Sequence, residues 1–273
     1  EPFKGLFTQG MVTHQTYKNK NDQWIEPEEL KYDENQKKFL DKNNNLVKVG
    51  KIEKMSKSKK NIIDPEKIIS MYGSDTARWF MLSDSPPDRD LEWTDSGIGG
   101  SYKFINKIWR LVNEVLSKNE SEFKNTDNEK LNKELDIAIN NITKNIENFH
   151  FNKSVANVYE IVNSVQKTID KKSSSKENLI SFFKKLSLLI QPLVPHISEE
   201  IWKELKGHDL AINQNWPAVS RKIEESTSKI AVQINGKTRA ILELKKGTIR
   251  KEVEKIATKE RKIQKHIQNK NIK

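Results

Sequence analysis

Between Asp95 and Leu205 apolar residues return every three or four positions, and that spacing leaves few folds open. One stripe runs through Ile98, Ile105, Ile108, Trp109, Val112, Val115 and Leu116, and a second through Leu131, Leu135, Ala138, Ile142, Ile146 and Phe149. A third has Val155, Val158, Tyr159, Val162, Val165 and Ile169, and a fourth has Leu179, Phe182, Phe183, Leu186, Leu189 and Ile190. Each stripe makes one apolar helix face, which must be buried against another such face. Asn/Lys/Ser-rich connections at 117–128 and 170–178 predict an antiparallel bundle. Pro192 and Pro195 break the fourth stripe, and Pro195 suits the start of a short fifth helix with Ile197, Ile201, Trp202 and Leu205, stopped by Gly207.

The flanking segments have other periods. Residues 1–13 read as a loop and then a short buried strand at Gly10-Met11-Val12. Residues 14–49 are polar and weakly periodic, and predict an insertion that is either a hairpin-like excursion or a plain surface loop. Residues 51–63 read as a basic loop of small residues. Asp64-Pro65 opens a helix that runs to about Gly73, with Asp at the cap and Pro in the first turn. Ser74 or Asp75 is expected to cap a further helix, which Ser85-Pro86-Pro87-Asp88 ends. Beyond a linker at 208–228, Ile230, Val232 and Ile234 alternate up to Asn235-Gly236, and Thr238, Ala240, Leu242 and Leu244 alternate after it, a strong hairpin signal. Thr248 is expected to cap a basic helix carrying Ile249, Val253, Ile256 and Ala257. A lone hairpin is marginal, so this last region reads as cut short. The chain is therefore expected to be multidomain and mainly α, divided as 1–94, 95–220 and 221–273.

Charge marks the last of these regions. Residues 221–273 hold 16 Lys and Arg against six acids, a net +10 of the chain's +11. A basic domain on a nearly neutral body predicts a polyanionic partner, nucleic acid above all. Zero cysteines exclude disulfides, thiolate metal sites and a cysteine nucleophile, and fit a reducing cytosol. The sequence has no apolar run of membrane-spanning length and no charged-then-apolar leader, so no membrane partner is expected. It begins Glu1-Pro2-Phe3 without a Met and reads as a piece of something longer.

Lys54-Met55-Ser56-Lys57-Ser58 is the segment with chemistry in it. Five lysines and one acid, Glu53, crowd residues 51–60, with two serines between. Lys54 and Lys57 can place compact positive charge on phosphate oxygens, and Ser56 and Ser58 can donate hydrogen bonds. Lysines that close in only as diphosphate leaves would stabilise the transition state more than the ground state. An ordinary lysine-rich surface loop is the alternative.

Lys54 to Ser58 spells the KMSKS signature of class I aminoacyl-tRNA synthetases. Pro2-Phe-Lys-Gly-Leu-Phe-Thr-Gln-Gly-Met-Val12, Tyr72-Gly-Ser-Asp-Thr-Ala-Arg78, Pro86-Pro87 and Leu91-Glu-Trp-Thr-Asp-Ser-Gly97 resemble the surroundings of that signature in bacterial leucyl-tRNA synthetases. Val232-Gln-Ile-Asn-Gly-Lys237 resembles the start of their small C-terminal domain. The resemblance implies a two-step ligase, in which leucine and ATP give leucyl-adenylate and the leucyl group then passes to the terminal ribose of tRNA(Leu). It implies the C-terminal part of a Rossmann-type catalytic domain over 1–94, an anticodon-binding-type bundle, and an incomplete α+β tRNA-binding domain.

Family roles follow residue by residue. The resemblance puts Lys54, Met55, Ser56, Lys57 and Ser58 on the ATP phosphates, with Lys54 and Lys57 catalytic and Mg2+ arriving with ATP. It puts Asp75 and Arg78 below the catalytic site against tRNA, where a local i, i+3 ion pair is the alternative. Lys237, Arg239, Arg250, Lys251 and Lys255 are candidates for tRNA phosphate contact, with a solvated basic face as the alternative. Trp79, Trp93, Trp109 and Trp202 are expected as core anchors, and His196 as structural.

The family's His-x-Gly-His signature is absent, because His14, His150, His196, His208 and His266 never take that spacing. The leucine pocket also lies upstream in the family, so the chain alone is expected to be inactive. A cytoplasmic monomer is expected, with no metal site of its own. The rivals are a valyl or isoleucyl enzyme, which shares the loop, and a tRNA-binding module without catalysis.

Overall fold

The computed structural model describes residues 2–220, 227–245 and 248–267, which fall into two compact units, Glu1–Val219 and Ser220–Lys273. The described residues are mainly helical.

The first unit opens with a three-stranded sheet. Its central strand, β1 (Val12–Lys18), is followed by a small antiparallel pair, β2 (Lys31–Asp33) and β3 (Lys38–Leu40). β4 (Lys48–Lys54) then pairs antiparallel with β1, and β5 (Leu91–Glu92) pairs parallel on the other side. Two sequence expectations change here. The segment 14–49 is not all excursion, because its two ends are sheet strands and only 19–47 leaves the sheet. The basic loop is also shorter than 51–63, since β4 runs on until Lys54 sits opposite Thr13. Lysine and other polar residues hide these strands, since the positions β1 buries include the polar His14 and Thr16 beside Tyr17. A bulge falls opposite Thr16, where a Cβ on Gly50 would come 2.4 Å from Thr16 Oγ1.

Helices build the rest of the unit. α1 (Pro65–Tyr72) starts as expected, with Asp64 accepting from the Glu66 amide. α2 (Ser74–Ser83) follows, but its cap position is Gly73 at φ 83°, so neither Ser74 nor Asp75 caps it. Next come α3 (Asp95–Ser117), capped by Thr94, α4 (Asn128–Glu147), α5 (Phe151–Asp170), α6 (Lys176–Ile190), capped by Ser175, and α7 (Pro195–Glu204). Phe149 lies past the end of α4 at φ 57° and stacks on Phe7, so it leaves the second stripe.

The stripes of α3–α7 close on one core, with Trp79 of α2 at 0% exposure inside it. A smaller core holds Phe80, Leu91, Trp93 and Ile98 between the sheet and the first helices, with Met55 packed against it. Neighbouring residues of α2, Trp79 and Phe80, thus serve different cores. Trp109 packs at the edge of the larger core, whereas Trp202 covers Gly207 and donates to the carbonyl of Asp209 at 3.1 Å, so it is not a core anchor.

In the second unit β6 (Thr227–Ile234) and β7 (Lys237–Lys245) form the expected hairpin. Asn235 and Gly236 take φ 50° and 74°, the paired positive values of a type I′ turn. α8 (Arg250–Lys259) begins after Ile249, one residue past the Thr248 expected to cap it. A further helix, α9 (Arg261–Ile267), was not expected, and it packs beside β7 with Ile263 buried. A helix, not a third strand, therefore lies against the hairpin.

Candidate functional site

The signature loop is short and firmly based. Lys54 ends β4, the Met55 amide donates to the Val12 carbonyl, and the Met55 side chain packs into the smaller core. Lys57–Lys59 make one 3-10 turn, and Lys60 reverses the chain at φ 52°. Ser56 Oγ and Ser58 Oγ lie 3.3 Å apart. Glu53, the one acid of the stretch, pairs with Lys59. Lys54, Lys57 and Ser58 are exposed. The loop thus presents two lysines and a hydroxyl outward from a fixed base, an arrangement able to meet phosphate oxygens.

Beside it, His14 of β1 is 9% exposed, and its Nδ1 has no partner. Burial holds this imidazole below its ordinary 6.5, against the raising pull of a bond with Asn61 and of Asp95 and Glu92. Past the end of α2, the turn at Pro86–Asp90 clamps Gly10: the Gly10 amide donates to the Pro87 carbonyl at 2.8 Å, and a Cβ there would meet the Arg89 carbonyl oxygen at 2.0 Å.

Asp75 and Arg78 face elsewhere, and they do not pair with each other. Asp75 is 7% exposed, and its carboxylate accepts from the Ile197 amide at 2.7 Å, the His196 amide at 3.3 Å and His196 Nδ1 at 2.9 Å. It caps α7 from another helix. Arg78 donates to the carbonyls of Leu193 at 2.9 Å and Pro192 at 2.8 Å, just past the end of α6. Together they hold the α6–α7 turn, and His196 serves it structurally.

On the second unit, Lys237, Arg239, Lys251 and Lys255 are exposed. Arg239 is the extra residue of a bulge between the Val232–Ala240 and Gln233–Thr238 pairs. Arg250 is tied to Glu254 at 2.8 Å, which raises its affinity for the proton further.

Two family models match this chain: "tRNA synthetases class I (I, L, M and V)" over residues 39–94 and "Anticodon-binding domain of tRNA ligase" over 128–256. The leucine–tRNA ligase of Zymomonas mobilis subsp. mobilis is 40% identical over 274 residues, covering 100% of this chain and 31% of that protein. Those of Rhizorhabdus wittichii and Rickettsia bellii are each 41% identical, covering 96% and 100% of this chain and 30% and 32% of their own length. The chain belongs with the leucine–tRNA ligases. It spans about a third of the length of the ligases it matches. The ternary complex of Agrobacterium radiobacter K84 LeuRS with tRNA and LeuAMS shares the fold, with a TM-score of 0.64 at 22% identity, covering 100% of this chain and 31% of that one.

Within this ligase segment, one residue at the loop escaped the sequence reading. Asn61 is buried beneath the signature and bonded to it. A polar residue three places past a charged motif carries no local sign of burial, since its partners lie on β1, at the end of β4 and at the start of the turn. Among the described residues no group of three or more His, Asp or Glu could hold a metal ion, and no helix is long and apolar enough to cross a membrane.

Proposed function

We propose that the chain is part of a cytoplasmic, monomeric leucine–tRNA ligase and supplies its phosphate-handling loop and tRNA-binding surfaces. The observation behind this reading is the outward pair Lys54 and Lys57 on a stapled base, in a chain about 40% identical throughout to such ligases. In the first step the leucine carboxylate attacks the α-phosphorus of ATP, the bond to the bridging oxygen breaks, and diphosphate leaves. Lys54 and Lys57 neutralise the charge that grows on the departing oxygens, with Ser56 and Ser58 donating to them. Mg2+ accompanies the ATP phosphates. In the second step a terminal ribose hydroxyl of tRNA(Leu) takes the leucyl group and AMP leaves.

Lys237, Arg239, Lys251 and Lys255 are read as phosphate contacts, with Arg250 contributing beyond its pairing to Glu254. Asp75 is read as a brace of the α6–α7 turn, because its carboxylate is already spent there, while Arg78 braces the same turn with two of its N–H groups and, being exposed, stays a candidate for tRNA contact. RNA binding is expected to weaken steeply with salt where about six or more phosphates are met. Flat salt dependence would remove the role of the basic unit.

The deciding measurement is leucine-dependent ATP–diphosphate exchange. The intact ligase is expected to turn over, and this chain alone is not, because it has no His-x-Gly-His. Robust exchange by the chain alone would overturn the division of labour proposed here.

A further inference from the structure

Asn61 is 1% exposed, and every polar atom of its side chain is directed at main chain. Its Oδ1 accepts from the Ser56 amide at 2.9 Å. Its Nδ2 lies 3.2 Å from the carbonyl oxygens of His14 and Glu53 and 3.4 Å from that of Lys54. Two protons on one nitrogen are thus shared among three acceptors. One carboxamide joins β1, the end of β4 and the first turn residue after Met55.

The turn between has little to hold it by itself. Its own backbone bonds, Lys59 to Ser56 at 3.3 Å and Lys60 to Lys57 at 3.2 Å, are long for N–H···O contacts. Lys60 at φ 52° takes a left-handed conformation that a non-glycine residue keeps only where its surroundings impose it. Asn61 follows directly, so its burial fixes where the turn returns, and its bond to Ser56 fixes where the turn departs.

We propose that Asn61 is a positioning residue for Lys54 and Lys57: it clamps both ends of the signature turn, so that the lysines move from a fixed base. The inference rests on the proposed ATP role of the loop and names the side chain that makes the loop's base rigid while its tip stays exposed. Misplacing a catalytic group by about 1 Å can cost on the order of 100-fold in rate, so a loosened base should appear in turnover before it appears in leucine binding.

The test uses the intact ligase and leucine-dependent ATP–diphosphate exchange. Asn61→Ala is expected to lower kcat by up to about 100-fold with leucine KM little changed, and to speed hydrogen exchange at the Ser56 amide. Asn61→Asp keeps the acceptor for Ser56 but sets a carboxylate against three carbonyls. Protonation gives that carboxyl a donor again, so its deficit should shrink as pH falls, while the alanine deficit should not. The proposal is overturned if Asn61→Ala keeps the parent kcat, or if both variants show the same deficit at every pH, as lost packing alone would give. Should Asn61→Ala fail to fold, the Asn61→Asp pH series decides in the same way. Lys57→Ala is run beside them. Parent-like exchange there removes the ATP reading itself, whereas a strong Lys57 effect beside a silent Asn61 removes only the positioning role.

Discussion

At the signature loop the charged ends of Lys54 and Lys57 stand exposed while the backbone beneath them is tied down by Asn61. On α2 the opposite holds for Asp75, whose buried carboxylate is consumed at the start of α7, whereas Arg78 lends two N–H groups to the carbonyls past α6 and stays exposed. Both places are rich in charge in the sequence. What separates them is whether a charge already has a partner. A paired, buried carboxylate such as Asp75 has nothing left with which to recognise an external ligand, and removing its partner would leave an uncompensated charge. An exposed lysine on a rigid base holds its charge available for an anion that arrives later. The loop leaves its lysine charges available, and α2 joins two cores.

The sharpest way to break this contrast is to empty the joint. Trp79→Ala removes a fully buried side chain that stacks on Phe104 and donates to the Tyr159 hydroxyl at 3.1 Å. It should cost about 3–5 kcal/mol of unfolding free energy by urea titration, and a cost within the ordinary surface range would mean that α2 joins nothing. Next in size, Lys57→Ala in the intact ligase should raise the adenylation barrier by roughly 2.7–4 kcal/mol through kcat, with urea stability unchanged. A change in KM alone would show that the lysine only binds ATP uniformly. Asp75→Ala should cost about 0.5–2 kcal/mol of stability, as lost helix caps do, and leave RNA affinity unaltered once folded protein is compared. Weaker RNA binding at unchanged stability would move Asp75 to the functional side of the comparison. The smallest effect concerns pH. Burial lowers the His14 pKa from 6.5, so the unfolded chain binds the proton more readily than the folded one. The stability His14 gives is fully present above 6.5 and drains away as pH falls from there through the lowered folded value. His14→Gln should flatten that part of the curve of melting temperature against pH, and a curve of unchanged slope would clear His14 of the role.

Much of the chain was legible because its signals are local. The stripes of α3 to α7, the Asp64-Pro65 helix start, the Asn235-Gly236 turn and the lysine loop each depend on residues within a few positions of one another. The failures came where the competing partner is remote. β1 and β4 run further than their polar composition suggests, because pairing across the sheet outweighs weak propensity. The expected cap at Ser74 or Asp75 gave way to Gly73, and the Asp75 carboxylate went to α7 instead.

By itself the sequence determined the helices up to α8, the hairpin and the identity of the exposed cationic loop, since spacing, capping and turn preference act through neighbours in the chain. The tertiary structure decided which charges remain free. Asn61 finds the His14 carbonyl 47 residues away, and Arg78 finds that of Leu193 at a separation of 115. A buried polar group must take whatever donor or acceptor the fold brings to it, and no local pattern encodes that choice.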